Sequence, residues 1–231
     1  MLRKDQLKEM CMPPDIGKAY YRPFTCRGKI AEDGIFFVGI NPATPIMPDD
    51  IGLSEYVELI TDYDAFVTYY KKCRLQNGKA EISRTRIGMN VFLDELSCYT
   101  TAPIFETDVV PYPTASLKLL KKEPAFVVER GKEIYLQLVI SLKPRLFIVH
   151  GKKSADHMID LFITNGLINE GTEYLDMSID EMEKRSPLFE FTYDNGKPGT
   201  IMACRHFMYY GSTGESFRPF REKVISMMKR G

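Results

Sequence analysis

The sequence predicts an α/β fold: a three-layer α/β/α sandwich around a central, mainly parallel four-stranded sheet. Three observations predict it. Short apolar runs that read as buried strands recur at Ile35–Ile40, Ile104–Val110 and Arg145–His150. Segments of ten or more residues with helical spacing of apolar positions separate them. The 231 residues suit one sizeable core, so residues 1–231 are expected to form a single domain. Strands alternating with long helices imply parallel pairing, right-handed crossovers and helices on both faces.

The elements follow in order. Ile35-Phe36-Phe37-Val38-Gly39-Ile40 runs into Asn41-Pro42, and with Pro42, Pro45 and Pro48 the segment up to Gly52 cannot be helical. Ser54 is a predicted cap for a helix through about Lys72, and Ser83 for another through about Leu96. The second strand, Ile104–Val110, stops at Pro111-Tyr112-Pro113, which cannot stay inside a sheet. Pro124 opens a long helix through about Leu142, broken at Lys143-Pro144. After the third strand, Gly151-Lys152-Lys153-Ser154 turns into a helix closed by Gly166. Leu188–Tyr193 and Thr200–Cys204 flank the turn-rich Asp194–Gly199, a hairpin pattern. Arg205–Gly214 reads as a loop and Glu215–Arg230 as the closing helix.

Composition bounds the function. Apolar residues make up 44% and charged ones 27%, ordinary globular usage that excludes a disordered chain or a membrane bundle. No run approaches the length of a membrane span, and Met1–Asp5 lacks the apolar stretch of a secretory signal, so a cytoplasmic location is expected. Lys plus Arg number 31 and Asp plus Glu 31, so the overall field does not draw in a polyanion. Local basic groups remain: Lys118, Lys121 and Lys122; Lys152-Lys153; and Arg218, Arg221, Lys223, Lys229 and Arg230. Five scattered cysteines without a C-x-x-C pair favour buried free thiols over disulfides, zinc or an iron–sulfur cluster. The three histidines, His150, His157 and His206, show no metal-binding spacing, and there is no Walker A loop or G-x-G-x-x-G, so neither metal nor cofactor is expected.

In parallel sheets, ligands bind beyond the carboxyl ends of the strands. That rule selects Gly39-Ile40-Asn41-Pro42, Thr107-Asp108 through Pro113, and Arg205-His206-Phe207. Gly39 permits close approach of a backbone, Asn41 carries both a donor and an acceptor that can orient a water, and Pro42 stiffens the turn. A stacking ring for a flat ligand would come from Tyr56, Tyr63, Phe66, Tyr69 or Tyr70, although their helical spacing places most of them in a core. Tyr209 to Gly214 mixes aromatic, hydroxyl and flexible residues, and either contacts phosphates or forms a surface turn.

Phe36-Phe37-Val38-Gly39-Ile40-Asn41-Pro42 resembles the water-activating motif of the uracil-DNA glycosylase superfamily, in the Gly-Ile-Asn-Pro form of its mismatch-specific branch. The order of further landmarks is similar: Thr107–Val110, Val149-His150-Gly151-Lys152, and Cys204-Arg205-His206. The resemblance spans most of the chain. It implies a uracil-DNA glycosylase-like fold and a partner in DNA that presents a flipped base. Asn41 would position the attacking water and His206 would stabilise the departing base, with no cofactor. Gly39, Ile40, Pro42 and Asp108 would border the base, and Arg205, Ser212 and Lys152 would contact the nucleic acid.

Two residues depart from the family's pattern. Phe207-Met208 follow His206 where the family has Pro-Ser, and Asp108 stands where the family has a uracil-reading Asn. An ionised Asp108 only accepts, which suits an edge with two donors, as in guanine. A protonated one has one donor and one acceptor, which suits cytosine, adenine, hypoxanthine or uracil. It is also a good residue for capping a turn. Two other functions stay open: a non-catalytic base- or nucleic-acid-binding protein on the same scaffold, and an unrelated small-molecule enzyme with Asp108 and His206 as an acid–base pair.

Overall fold

The computed structural model describes residues 2–229, so Arg230, assigned above to the closing helix and its basic group, lies outside the described residues. In chain order the elements are α1 (Lys4–Cys11), β1 (Thr25–Arg27), β2 (Ile35–Gly39), α2 (Leu53–Thr61), α3 (Tyr63–Gln76), α4 (Arg84–Ser97), β3 (Ile104–Asp108), α5 (Leu117–Leu120) and α6 (Ala125–Leu142). They continue with β4 (Leu146–His150), α7 (Lys152–Thr164), α8 (Ile179–Arg185), β5 (Phe189–Thr192), β6 (Pro198–Cys204) and α9 (Arg218–Met228). The fold class is α/β, as expected.

The sheet has six strands in the order β1-β3-β2-β4-β6-β5, not four. Its centre, β3-β2-β4-β6, is the parallel four-stranded unit expected from the apolar runs. Two antiparallel edges extend it. β5 forms the anticipated hairpin with β6, while β1 pairs with β3 through Thr25↔Glu106 to Arg27↔Ile104. The first edge strand is three residues long and follows Pro23, too short for any periodicity to show.

Alternation along the strands separates two cores. Phe36, Val38, Phe105, Phe147 and Val149 face the larger one, packed against α1, α2, α3, α6 and α7. Ile35, Phe37, Ile104, Ile148, Met202 and Cys204 face the other way, against α4 and α9. Because side chains alternate with a period of two, β2 is apolar on both faces and reads as an unbroken run.

Helix boundaries differ from expectation at two places. Ser54 lies inside α2, which starts after Gly52, and the helix expected to run to Lys72 is broken at Asp62. There the Asp62 side chain accepts from Ala65 N at 3.0 Å and starts α3 afresh, the capping preference of a short carboxylate overriding the apolar period. The closing helix begins at Arg218, after a 3-10 turn at Glu215–Phe217. Ser83 caps α4 as predicted, accepting from Arg86 N at 3.1 Å. No helix among the described residues is long and apolar enough to cross a membrane. Cys11, Cys26 and Cys204 are buried free thiols as expected, whereas Cys73 is half-buried and Cys98 exposed.

Candidate active site

The parallel strands end side by side, and the loops leaving them are tied to one another. Val109 N donates to Gly39 O at 3.0 Å, Val110 N to Ile40 O at 3.0 Å, and Thr114 N to Pro42 O at 3.0 Å. These bonds continue the β2–β3 register beyond the strands and tie the Asn41 loop to the residues that follow Asp108. The turn after β6 is set by α4. A Cβ on Gly88 would overlap Phe207 O, so the absence of a side chain there lets the 3-10 turn Phe207–Tyr209 sit on the helix, with His206 as its cap.

A cleft of about 270 Å³ opens at these strand ends. Gly39, Ile40, Asn41, Pro42, Asp108 and His206, from three separate stretches of chain, all line it. Its volume is close to the lower end of small-ligand pockets, roughly 300–1,000 Å³. Phe66 and Tyr70, on adjacent turns of α3, stack at 6.2 Å and 28° behind the cleft wall; both are buried, with Arg22 against Phe66 and Arg74 and Arg86 against Tyr70. Of the other rings considered, Tyr56 is buried against Tyr20 at 4.6 Å and Tyr63 lies under the Arg27 guanidinium. Tyr69 lines a neighbouring depression.

The hydrogen bonds of Asn41 fix which end of its amide is available. Nδ2 donates to Thr114 Oγ1 at 2.9 Å, and Thr114 Oγ1 donates to Ser116 O at 2.9 Å. A hydroxyl has a single proton, so the Thr114 oxygen must accept from Asn41, which leaves Oδ1 as the acceptor for an incoming molecule. His206 is ordered in the same way. Its Nδ1 accepts from Met208 N at 3.2 Å, so the neutral ring carries its proton on Nε2 and is a donor there. Burial lowers the His206 pKa and keeps the ring neutral.

Asp108, His150 and Gly39 meet at the floor. A Cβ on Gly39 would overlap Asp108 Oδ1 and stand 3.3 Å from His150 Nε2, so glycine is what lets carboxyl and imidazole approach. Asp108 keeps part of its surface open to the cleft, yet it lies deep. Desolvation, reinforced by Glu106 and opposed by Arg22 and Arg86, pushes its pKa to about 7. Desolvation, then the charges of His206 and Arg86, push His150 down to about 3. His150 is buried with its ring 5.0 Å from that of His206, and its Nδ1 has no hydrogen-bond partner among the described residues. His150 and the buried Glu106, ion-paired to Arg86, were not anticipated as site residues. Their strand positions, His150 at the last residue of β4 and Glu106 two before Asp108, were the available signal.

The three expected nucleic-acid contacts lie outside the cleft. Arg205 is taken up by Glu183, at 2.9 Å from Nη2 to Oε1, by the Ser216 carbonyl and by the Phe217 ring. Lys152 is ion-paired with Asp156 and donates to Leu175 O at 2.7 Å. Ser212 is exposed in the turn beyond Tyr210. A basic residue one or two positions beyond a strand end finds its own acid nearby, and sequence spacing does not reveal that. The cationic residues that do line the cleft are Arg22, Arg74 and Arg86. His157 is exposed on α7, and among the described residues no three His, Cys, Asp or Glu side chains gather to hold a metal ion. The sequence matches no protein-family model and no curated protein.

Proposed function

We propose that the cleft accepts a nucleobase, flipped from DNA as the resemblance to the uracil-DNA glycosylase superfamily implies, and that the chain hydrolyses its N-glycosidic bond. Asn41 Oδ1 accepts a hydrogen bond from the attacking water and aims its oxygen at the sugar carbon. The water oxygen bonds to that carbon as the carbon–nitrogen bond breaks with its electron pair on the base, and the water's proton passes to solvent. His206 Nε2–H donates to the base oxygen on which that charge collects. No cofactor takes part in this scheme. Asp108 reads the base edge. In its acid form it offers one donor and one acceptor, so base binding weakens as pH rises through about 7.

The observation that carries this reading is that Asn41, Asp108 and His206 border one cleft, with an acceptor free on the first and a donor on the last. The test is a panel of oligonucleotides containing uracil, hypoxanthine, xanthine or a mismatch, assayed for alkali-labile sites. Release of at least one base, lost on Asn41→Ala, is expected. No release from any of them, with binding intact, selects the second reading, a non-catalytic base-binding protein. Phe207-Met208 after His206 and the intramolecular pairing of Arg205 and Lys152 favour that second reading.

A further inference from the structure

We propose that the cleft contains a phosphate subsite between Arg22 and Arg74, so that its ligand is a nucleotide held by base and phosphate together. The inference extends the nucleobase reading above and rests on it for the identity of the rest of the ligand. The cleft carries a charge imbalance. The carboxylates lining the cleft are Glu106 and Asp108, against three guanidinium groups. Glu106 is occupied by Arg86, in a pair whose side chains are both largely buried. That leaves Arg22 and Arg74 facing Asp108 alone, a carboxyl that desolvation keeps partly protonated near neutral pH.

Neither remaining arginine has a carboxylate within ion-pair distance among the described residues. Arg22 is only 9% exposed. Its Nη2 donates to Ala43 O at 2.6 Å, and its guanidinium lies 5.2 Å from the centre of the Phe66 ring. Arg74 donates from Nε to Ala80 O at 2.7 Å and stands 5.6 Å from the Tyr70 ring. Each arginine is thus aimed by one carbonyl and one ring, and the remaining N–H groups are uncommitted. Burying a guanidinium without a counter-ion is costly, and a planar fork held beside a cavity suits a phosphate oxygen pair. Phe66 and Tyr70 stack on each other and carry Arg22 and Arg74 against them, so the two guanidinium groups share one wall of the cleft.

Phosphate reaches such a site either on a free nucleotide or within a strand. The experiment uses calorimetric titration of the full chain with deoxyuridine and deoxyinosine, each as nucleoside and as 5′-monophosphate. A short single-stranded oligonucleotide carrying the same base and inorganic phosphate alone complete the set. The monophosphate is expected to bind about tenfold or more tightly than its nucleoside, the gain of a charge-assisted bidentate contact. Arg74→Gln, at a half-exposed helix position, should collapse that gain while leaving nucleoside affinity and thermal melting unchanged. Arg22→Met is the second variant and should also lose the monophosphate gain. Tighter binding of the oligonucleotide than of the monophosphate assigns the phosphate to a strand, and the reverse order assigns it to a free nucleotide; both support the subsite. Nucleosides binding as well as their monophosphates, or a gain that survives Arg74→Gln, overturns it while leaving the base reading standing. Arg74-dependent binding of inorganic phosphate with no nucleoside bound keeps the subsite and overturns the base reading. No binding by any probe overturns both.

Discussion

Asp108 and His150 touch the same glycine and are displaced in opposite directions from their ordinary pKa values. The folded protein holds a proton on Asp108 up to about pH 7, whereas the unfolded chain releases it near 4. Between those values the native state binds more protons, so this residue's contribution falls as pH rises and is at its worst above 7. His150 has the opposite sign. The unfolded chain takes up a proton below about 6.5 and the folded one only near 3, so stability is lost as pH falls through that interval. The two effects oppose one another between about pH 4 and 6.5. Thermal melts of single variants separate them. Asp108→Asn should raise the melting temperature at pH 8 and change it little at pH 4; an equal shift at both would show that Asp108 ionises normally. His150→Gln should flatten the acid side of the stability profile, and an unchanged acid limb would rule out a neutral buried imidazole as its source.

Two element contacts set the geometry of the cleft. α4 meets the turn after β6 at Gly88, where an added Cβ would overlap Phe207 O and stand 2.7 Å from Tyr210 Cβ. The obstruction is backbone, which cannot swing aside. Gly88→Ala should therefore cost about 1–3 kcal/mol in denaturant melts, and any glycosylase activity should fall further than stability does because His206 moves with the turn. α4 is also joined to β3 by the Arg86–Glu106 pair, with side-chain exposures of 14% and 7%. Removing one partner strands the other charge. Glu106→Gln is expected to destabilise by about 3–5 kcal/mol, measured by chemical denaturation, and a loss under about 1 kcal/mol would mean that water reaches the guanidinium freely.

At the scale of the molecule, charge is balanced overall and unbalanced within the cleft. The formal net charge is zero, and two of the strand-end cations, Arg205 and Lys152, are neutralised by Glu183 and Asp156. On the proposed reading, attraction to nucleic acid should then come from Arg22 and Arg74 rather than from a broad basic face. One phosphate held by the two arginines corresponds to a slope of about −0.7 in log affinity against log salt for a single strand. Titrations of an oligonucleotide across a salt series check this directly. A slope several times steeper would mean that the strand lies along a basic surface such as the Lys118–Lys122 segment.

The central strands were legible in the sequence because each is buried on both faces, so composition alone marks it without reference to a partner. The Ser83 cap and the Lys143-Pro144 break were legible because capping and proline sterics act within a few residues. The three-residue β1 and the Asp62 break were not, since the one is made by pairing with β3 and the other by a cap that interrupts an otherwise continuous apolar period. Asn41, Asp108 and His206 could be chosen in advance because the ends of parallel strands share one edge. The identity of the free donors and acceptors on Asn41 and His206, the meeting of Asp108 with His150 over Gly39, and the withdrawal of Arg205 and Lys152 into ion pairs depend on neighbours far away in sequence. Only the tertiary structure decided them, because protonation and hydrogen-bond commitment are set by which groups share a small volume, and local sequence does not specify that.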